Sequence, residues 1–214
     1  MADKGLEKEK QRKLTEQETR RLANFEQQSA ELEAQGYQKK EMTMSVAKAN
    51  VMAIVLSIPF IVIACVLFFL MNKEIKVFSA GKGLLYFVLY IVLVVVHELI
   101  HGTTWSFFAP GGWKNIEFGF MQQYLTPYCT CKVPLPKGPY ILGTLMPLIV
   151  LGILPTVYAI FSGSLFMLLT GIVMIVSAGG DMAIVLELLK YKTACQDVKI
   201  FDHPTQVGFY LFEK

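Results

Sequence analysis

The chain has 214 residues, 54% of them hydrophobic, and a formal net charge of only +3. Apolar content this high, gathered in long runs, is not that of a soluble domain and points to a membrane protein. The small charge, with no basic run interleaved with aromatics, excludes nucleic acid as a partner, and the charged start Met1-Ala2-Asp3-Lys4-Gly5 is not that of a cleaved signal peptide.

Residues 1–48 are rich in Glu, Lys, Gln and Arg, with no proline. Opposite charges mix closely and nearly cancel, which suits a solvated helix. Leu6, Leu14, Leu22, Phe25 and Leu32 keep no sustained heptad. The expectation is a cytosolic arm, helical or disordered, with a helix that engages a helical partner as the alternative.

Four spans are then expected, at about 51–71, 83–108, 139–161 and 165–189, each long enough to cross about 30 Å of hydrocarbon. Together they make residues 49–190 a four-span core. Pro59, Pro147 and Pro155 lie inside spans, where neighbours or water can satisfy the freed carbonyls. The insert 110–138 is different. Ile116, Phe118 and Phe120 alternate with Glu117 and Gly119, and a second extended piece covers Tyr128 to Val133. That pattern reads as a short β-hairpin near the site, able to take an extended substrate along its edge, or as a simple interfacial loop. Residues 191–214 read as a polar cytosolic tail. The fold class is therefore all-α integral membrane, with four transmembrane helices, a candidate hairpin insert and a polar helical N-terminal arm. Nine lysines near the membrane fall on the side of the arm, insert and tail, against Lys73, Lys76 and Lys82 on the other. That bias predicts a multi-pass protein of the cell membrane with both termini in the cytosol.

The chemistry lies in the second span. His97-Glu98-Leu99-Ile100-His101 sets two imidazoles four residues apart, on one helix face, with a carboxylate beside the first. Two such rings can share a zinc ion, and Glu98 can serve as general base. Ionisable groups are costly at that depth and mark a function, although a buried polar cluster that glues helices together is the alternative. A zinc hydrolase wants a third protein ligand. Asp181 and His203 are the candidates. At about 1.5 Å rise per residue, Asp181 reaches the depth of the two histidines, and Gly179 and Gly180 would let its helix approach another backbone closely. His203, beyond the last span in Asp202-His203-Pro204, reads as a turn residue. Of four cysteines, Cys65 lies in a span, while Cys129-Thr130-Cys131 reads as buried or pocket-lining thiols, with metal or redox chemistry as the alternative.

On these residues the chain resembles the site-2 protease class of intramembrane metalloproteases: His97-Glu98-Leu99-Ile100-His101 in one span, Asp181 in a later one, a hairpin-like insert between. It also resembles a mainly bacterial family of zincin-like membrane peptidases. That likeness covers roughly residues 80–210 and includes Tyr128-Cys129-x-Cys131-Lys132-x-Pro134, Pro147-x-x-x-x-Gly152 and Asp202-His203-Pro204 with Gly208-Phe209-Tyr210. The resemblance implies Zn2+ held by His97, His101 and Asp181, Glu98 as the catalytic base, and a membrane-protein or peptide substrate. Here Asp181 stands in Gly-Gly-Asp181-Met182, not the Asn-Pro-Asp-Gly or Leu-Asp-Gly common in site-2 proteases. A non-proteolytic metal-binding scaffold or transporter, and an inactive protease relative, are the competing readings.

Overall fold

The computed structural model describes residues 14–76, 83–121 and 126–214. The first residues of the expected arm, part of the loop after the first span and the tip of the insert lie outside these. Thr15 and Glu18 start helix α1 (Glu16–Ala34) with a capping box: the Thr15 hydroxyl accepts the Glu18 N–H at 3.2 Å, and the Glu18 carboxylate accepts the Thr15 N–H at 2.9 Å. Strand β1 (Gln38–Thr43) follows, and Ser45 caps α2 (Val46–Met71) by accepting the Lys48 N–H. Next come α3 (Gly83–Ser106), a short 3-10 turn (Gly112–Asn115), and strands β2 (Ile116–Met121), β3 (Thr126–Cys131) and β4 (Leu135–Pro136). Helix α4 (Lys137–Pro147) passes through a wide π-helical turn (Leu148–Ile153) into α5 (Leu154–Ser162). Pro147 and Pro155 flank that turn, and neither has an N–H to give to the helical ladder. Helices α6 (Leu165–Ser177) and α7 (Gly179–Lys190) and strands β5 (Val198–Asp202) and β6 (Gly208–Glu213) complete the chain.

Among the described residues, three helical stretches are long and apolar enough to cross a membrane: α2, α3 and the continuous run Lys137–Ser162. The expected fourth span is a bent pair, α6 and α7, meeting at 46°. Leu70, Leu84 and Phe161 are 75%, 78% and 74% exposed, part of an apolar belt that suits hydrocarbon. Helix α2 packs on the bent pair, where the Ser57 hydroxyl bonds the Ala53 carbonyl at 2.8 Å and the Ile175 carbonyl at 3.4 Å. Gly179 permits that approach, since a Cβ there would lie 2.6 Å from the Ala53 Cβ. Gly180, expected to share the role, faces open space.

The sequence reading of an all-α chain with one candidate hairpin needs a correction. Strands β2 and β3 do pair antiparallel, Phe118 opposite Cys129. In addition the arm and the tail meet in a second, four-stranded antiparallel sheet of order β1-β6-β5-β4. The physical reason is that β5 and β6 are apolar on both faces. Val198, Ile200, Phe209 and Leu211 turn to a core that includes Trp105, Tyr140 and Leu188. Phe201 and Phe212 turn the other way, to Phe25 and Leu32 of α1. Burying two faces needs cover on both sides, and α1 supplies the second. The segment read as a free arm is thus one layer of a small domain capping one end of the helices.

Candidate metal centre

Helix α3 carries His97 and His101 one turn apart, and both rings are buried. Asp181 comes from the first turn of α7, just past the bend, where the positive end of the helix dipole favours a carboxylate. His97 Nε2 lies 3.1 Å from His101 Nε2 and 3.1 Å from Asp181 Oδ2, and His101 Nε2 lies 3.5 Å from Asp181 Oδ1. The three side chains each turn one donor atom to a common point, all within 4.8 Å of one another.

This donor set fits zinc. At zinc–ligand bonds of about 2.0–2.1 Å, the edge of a tetrahedron is about 3.3–3.4 Å, close to the spacings found. The ring of His101 is set for it. Its Nδ1 donates to the Gly143 carbonyl at 2.8 Å, which in the neutral ring leaves the Nε2 lone pair facing the neighbouring imidazole. A cation held between the two Nε2 atoms, 3.1 Å apart, would draw on that lone pair and on one from His97. His97 Nδ1, by contrast, is buried with no hydrogen-bond partner among the described residues.

The support for His101 is layered. Its ring stacks on Trp105 at 5.2 Å, and Trp105 stacks on Tyr140 at 5.8 Å. The Trp105 indole N–H donates to the Tyr140 carbonyl at 3.2 Å. Helix α4 comes close enough to do this because residue 143 is glycine, where a Cβ would overlap the Trp105 ring. On the other side of α3, a Cβ at Gly102 would sit 2.8 Å from the Ile116 side chain and 3.2 Å from Cys129 Sγ, so the hairpin lies directly on the helix. There the Cys129 backbone N–H points toward the Glu98 carboxylate. The pairing of Lys132 N–H with the Asn115 carbonyl places even-numbered backbone groups of β3 toward β2. The odd-numbered groups therefore point away from β2, and of these residues Pro127 and Cys129 line the cavity at the site.

A cavity of about 270 Å3 surrounds His97, Glu98, His101 and Asp181, walled by Thr126, Cys129, Tyr140 and Asp202. A larger one of about 550 Å3 shares His97 and Glu98 and continues between α3 and the bent pair, past Tyr90, Ile91, Val94, Val95, Phe120 and Ser177. Its walls are mainly apolar, and the Tyr90 and Ser177 hydroxyls approach to 3.4 Å.

Of the residues singled out in the sequence, the structure brings together His97, His101 and Asp181, with Glu98 alongside, and leaves His203 apart. The buried His203 ring accepts the N–H groups of Thr205 and Gln206, lies 3.7 Å from Glu41 and stacks on Tyr210. Cys129 and Cys131 are free thiols; burial pushes Cys131 up to about 11 and moves Cys129 in the same direction. The sequence reading missed Gly143, Trp105, Tyr140 and Asp202. Asp202 alone carried a signal, as the acidic neighbour of a histidine already noted.

The family model described as "Putative zincin peptidase" matches residues 90–196, half of the chain, from within α3 to just before β5. No curated protein and no solved structure matches the chain.

Proposed function

The chain belongs to the zincin peptidase family, and on that premise we propose that it is a zinc-dependent intramembrane metallopeptidase acting on membrane-protein segments. The observation that carries the reading is the convergence of His97, His101 and Asp181 beside Glu98, within an apolar helix and at the inner end of an apolar cavity. Zinc, when bound, polarises a carbonyl and makes water a stronger acid. The rest is the work of the chain's own groups. His97, His101 and Asp181 hold the ion. Glu98 takes a proton from the attacking water and gives it to the leaving amine nitrogen as the C–N bond breaks. The Cys129 N–H aims the carboxylate for both transfers. A helical substrate hides its carbonyls and must be extended to be cut, and the Thr126–Pro127 end of β3 borders both cavities where that segment would lie.

A scaffold or transporter with structural zinc would close the ion with four protein ligands, whereas three donors converge among the described residues, leaving a position for substrate. We take α6 and α7 together as the fourth span and place both termini in the cytosol, following the lysine bias. The likeness to site-2 proteases supports the same chemistry. The test compares membrane-protein fragments from cells making wild type or Glu98→Gln, with zinc measured in both purified proteins. Fragments that vanish in Glu98→Gln, with zinc retained, support the reading. Identical fragments, or a wild type without zinc, refute it.

A further inference from the structure

The Asp202-His203-Pro204 run reaches the site through its aspartate. Asp202 Oδ1 accepts the Tyr140 hydroxyl at 2.7 Å, and Oδ2 accepts the Thr130 hydroxyl at 2.8 Å. Both donors are 4% exposed, and Asp202 itself lines the cavity around the metal cluster. The two donors stand on different elements. Tyr140 is on α4, one turn before Gly143, whose carbonyl takes the Nδ1–H of His101. Thr130 is on β3, next to Cys129, which lines the same cavity as Glu98 and points its N–H toward it.

We propose that Asp202 is a positioning residue that sets both halves of the site. One oxygen fixes α4, and through it the orientation of His101. The other fixes β3, and through it the orientation of Glu98. A carboxylate suits this task because it only accepts, so each oxygen can hold one hydroxyl in a defined direction, in bonds roughly twice as strong as neutral ones. Metal ligand and general base then share one frame, anchored in a strand outside the membrane helices. The inference rests on the metallopeptidase reading.

The two arms can be cut separately. Tyr140→Phe removes the Oδ1 contact and leaves the Oδ2 contact in place; zinc affinity should fall about tenfold, and the visible spectrum of the Co2+-loaded protein should shift. Thr130→Val removes only the Oδ2 contact. Zinc affinity should stay within about twofold. Turnover of a quenched fluorescent transmembrane peptide, one that wild type cleaves and Glu98→Gln does not, should lose about tenfold in kcat at unchanged KM. Asp202→Ala should combine both effects. Wild-type zinc affinity and kcat in a folded Asp202→Ala protein overturn the proposal. So do identical effects of Tyr140→Phe and Thr130→Val, which would mean loosened packing. If Asp202→Ala does not fold, the two single-arm variants decide. Failure of the underlying reading looks different: His97→Ala would then keep its zinc.

Discussion

Gly143→Ala tests the support of His101 with a single methyl group. The added Cβ would lie on the Trp105 indole, with Cε2, the farthest of the three nearest ring atoms, only 2.9 Å away. Carbon atoms rest at about 3.5–4.0 Å and the other two ring atoms lie closer still, so the ring must move by more than about 1 Å or α4 must retreat. Trp105 has little room, being 4% exposed and stacked between His101 and Tyr140. A retreat of α4 would instead carry the Gly143 carbonyl away from His101 Nδ1. Either movement turns the imidazole. Overpacking of this kind costs about 1–3 kcal/mol. If it falls wholly on the metal-bound state, zinc affinity drops by about 5- to 150-fold, at about 1.4 kcal/mol per tenfold. Chelator competition on detergent-purified protein, checked for monodispersity, reads the change. Adding Trp105→Phe makes room, and the double variant should recover part of the affinity despite the lost indole bond to Tyr140. Wild-type zinc affinity in Gly143→Ala would refute the reasoning, because it would mean that α4 does not orient the ligand.

Other outcomes follow from the same geometry. His97→Ala, His101→Ala and Asp181→Asn should lose zinc, while His203→Ala should keep it and lose thermal stability, since that ring holds a turn of the cap; metal analysis and melting separate the two. Phe25→Ala removes a ring stacked 4.2 Å from Tyr210 and set edge-on to Phe201 at 5.3 Å. It should cost about 3–5 kcal/mol locally and speed hydrogen exchange in β1. Because burial raises the thiol pKa of Cys131 and Cys129, both should resist alkylation near pH 7.5, and Cys131 should react as pH approaches 11. The sign for stability is the same: the protonated thiols favour the fold below the ordinary thiol range, and that contribution is lost as pH rises toward 11. A reporter fused after Lys214 should be cytosolic and one inserted near Val77 extracytosolic; the reverse pattern would overturn the topology.

What could be read from the sequence was local in its physics. Two histidines four apart on a helix define a metal-binding face without reference to the rest of the chain. An aspartate in an apolar run stands out because hydrocarbon penalises it. The alternation through Ile116, Phe118 and Phe120 marks a strand with two unlike faces. The four-stranded sheet lacks that mark, because Ile200-Phe201 and Leu211-Phe212 are buried on both sides, and because β1 pairs with a strand far along the chain. As an exposed edge strand rich in Lys and Glu, β1 looks like part of a solvated helix. The support around His101 was hidden for another reason. Gly143, Trp105 and Tyr140 are ordinary residues of apolar segments, and only their juxtaposition makes them part of the site.

The sheet order also fixes a schedule for biogenesis. Strand β1 leaves the ribosome before any span, yet its one neighbour in the sheet is β6, made after all of them. Strand β5, which carries Asp202, is equally late. On the four-span reading, His97, Glu98 and His101 therefore enter the bilayer early, in a nascent protein that has neither its cap nor the carboxylate gripping Tyr140 and Thr130. Pairing so distant in sequence is slow to form. On the proposed function, the catalytic groups would be in place during synthesis but aligned only once β5 and β6 have joined β1, and during that interval the growing chain would be shielded from its own chemistry.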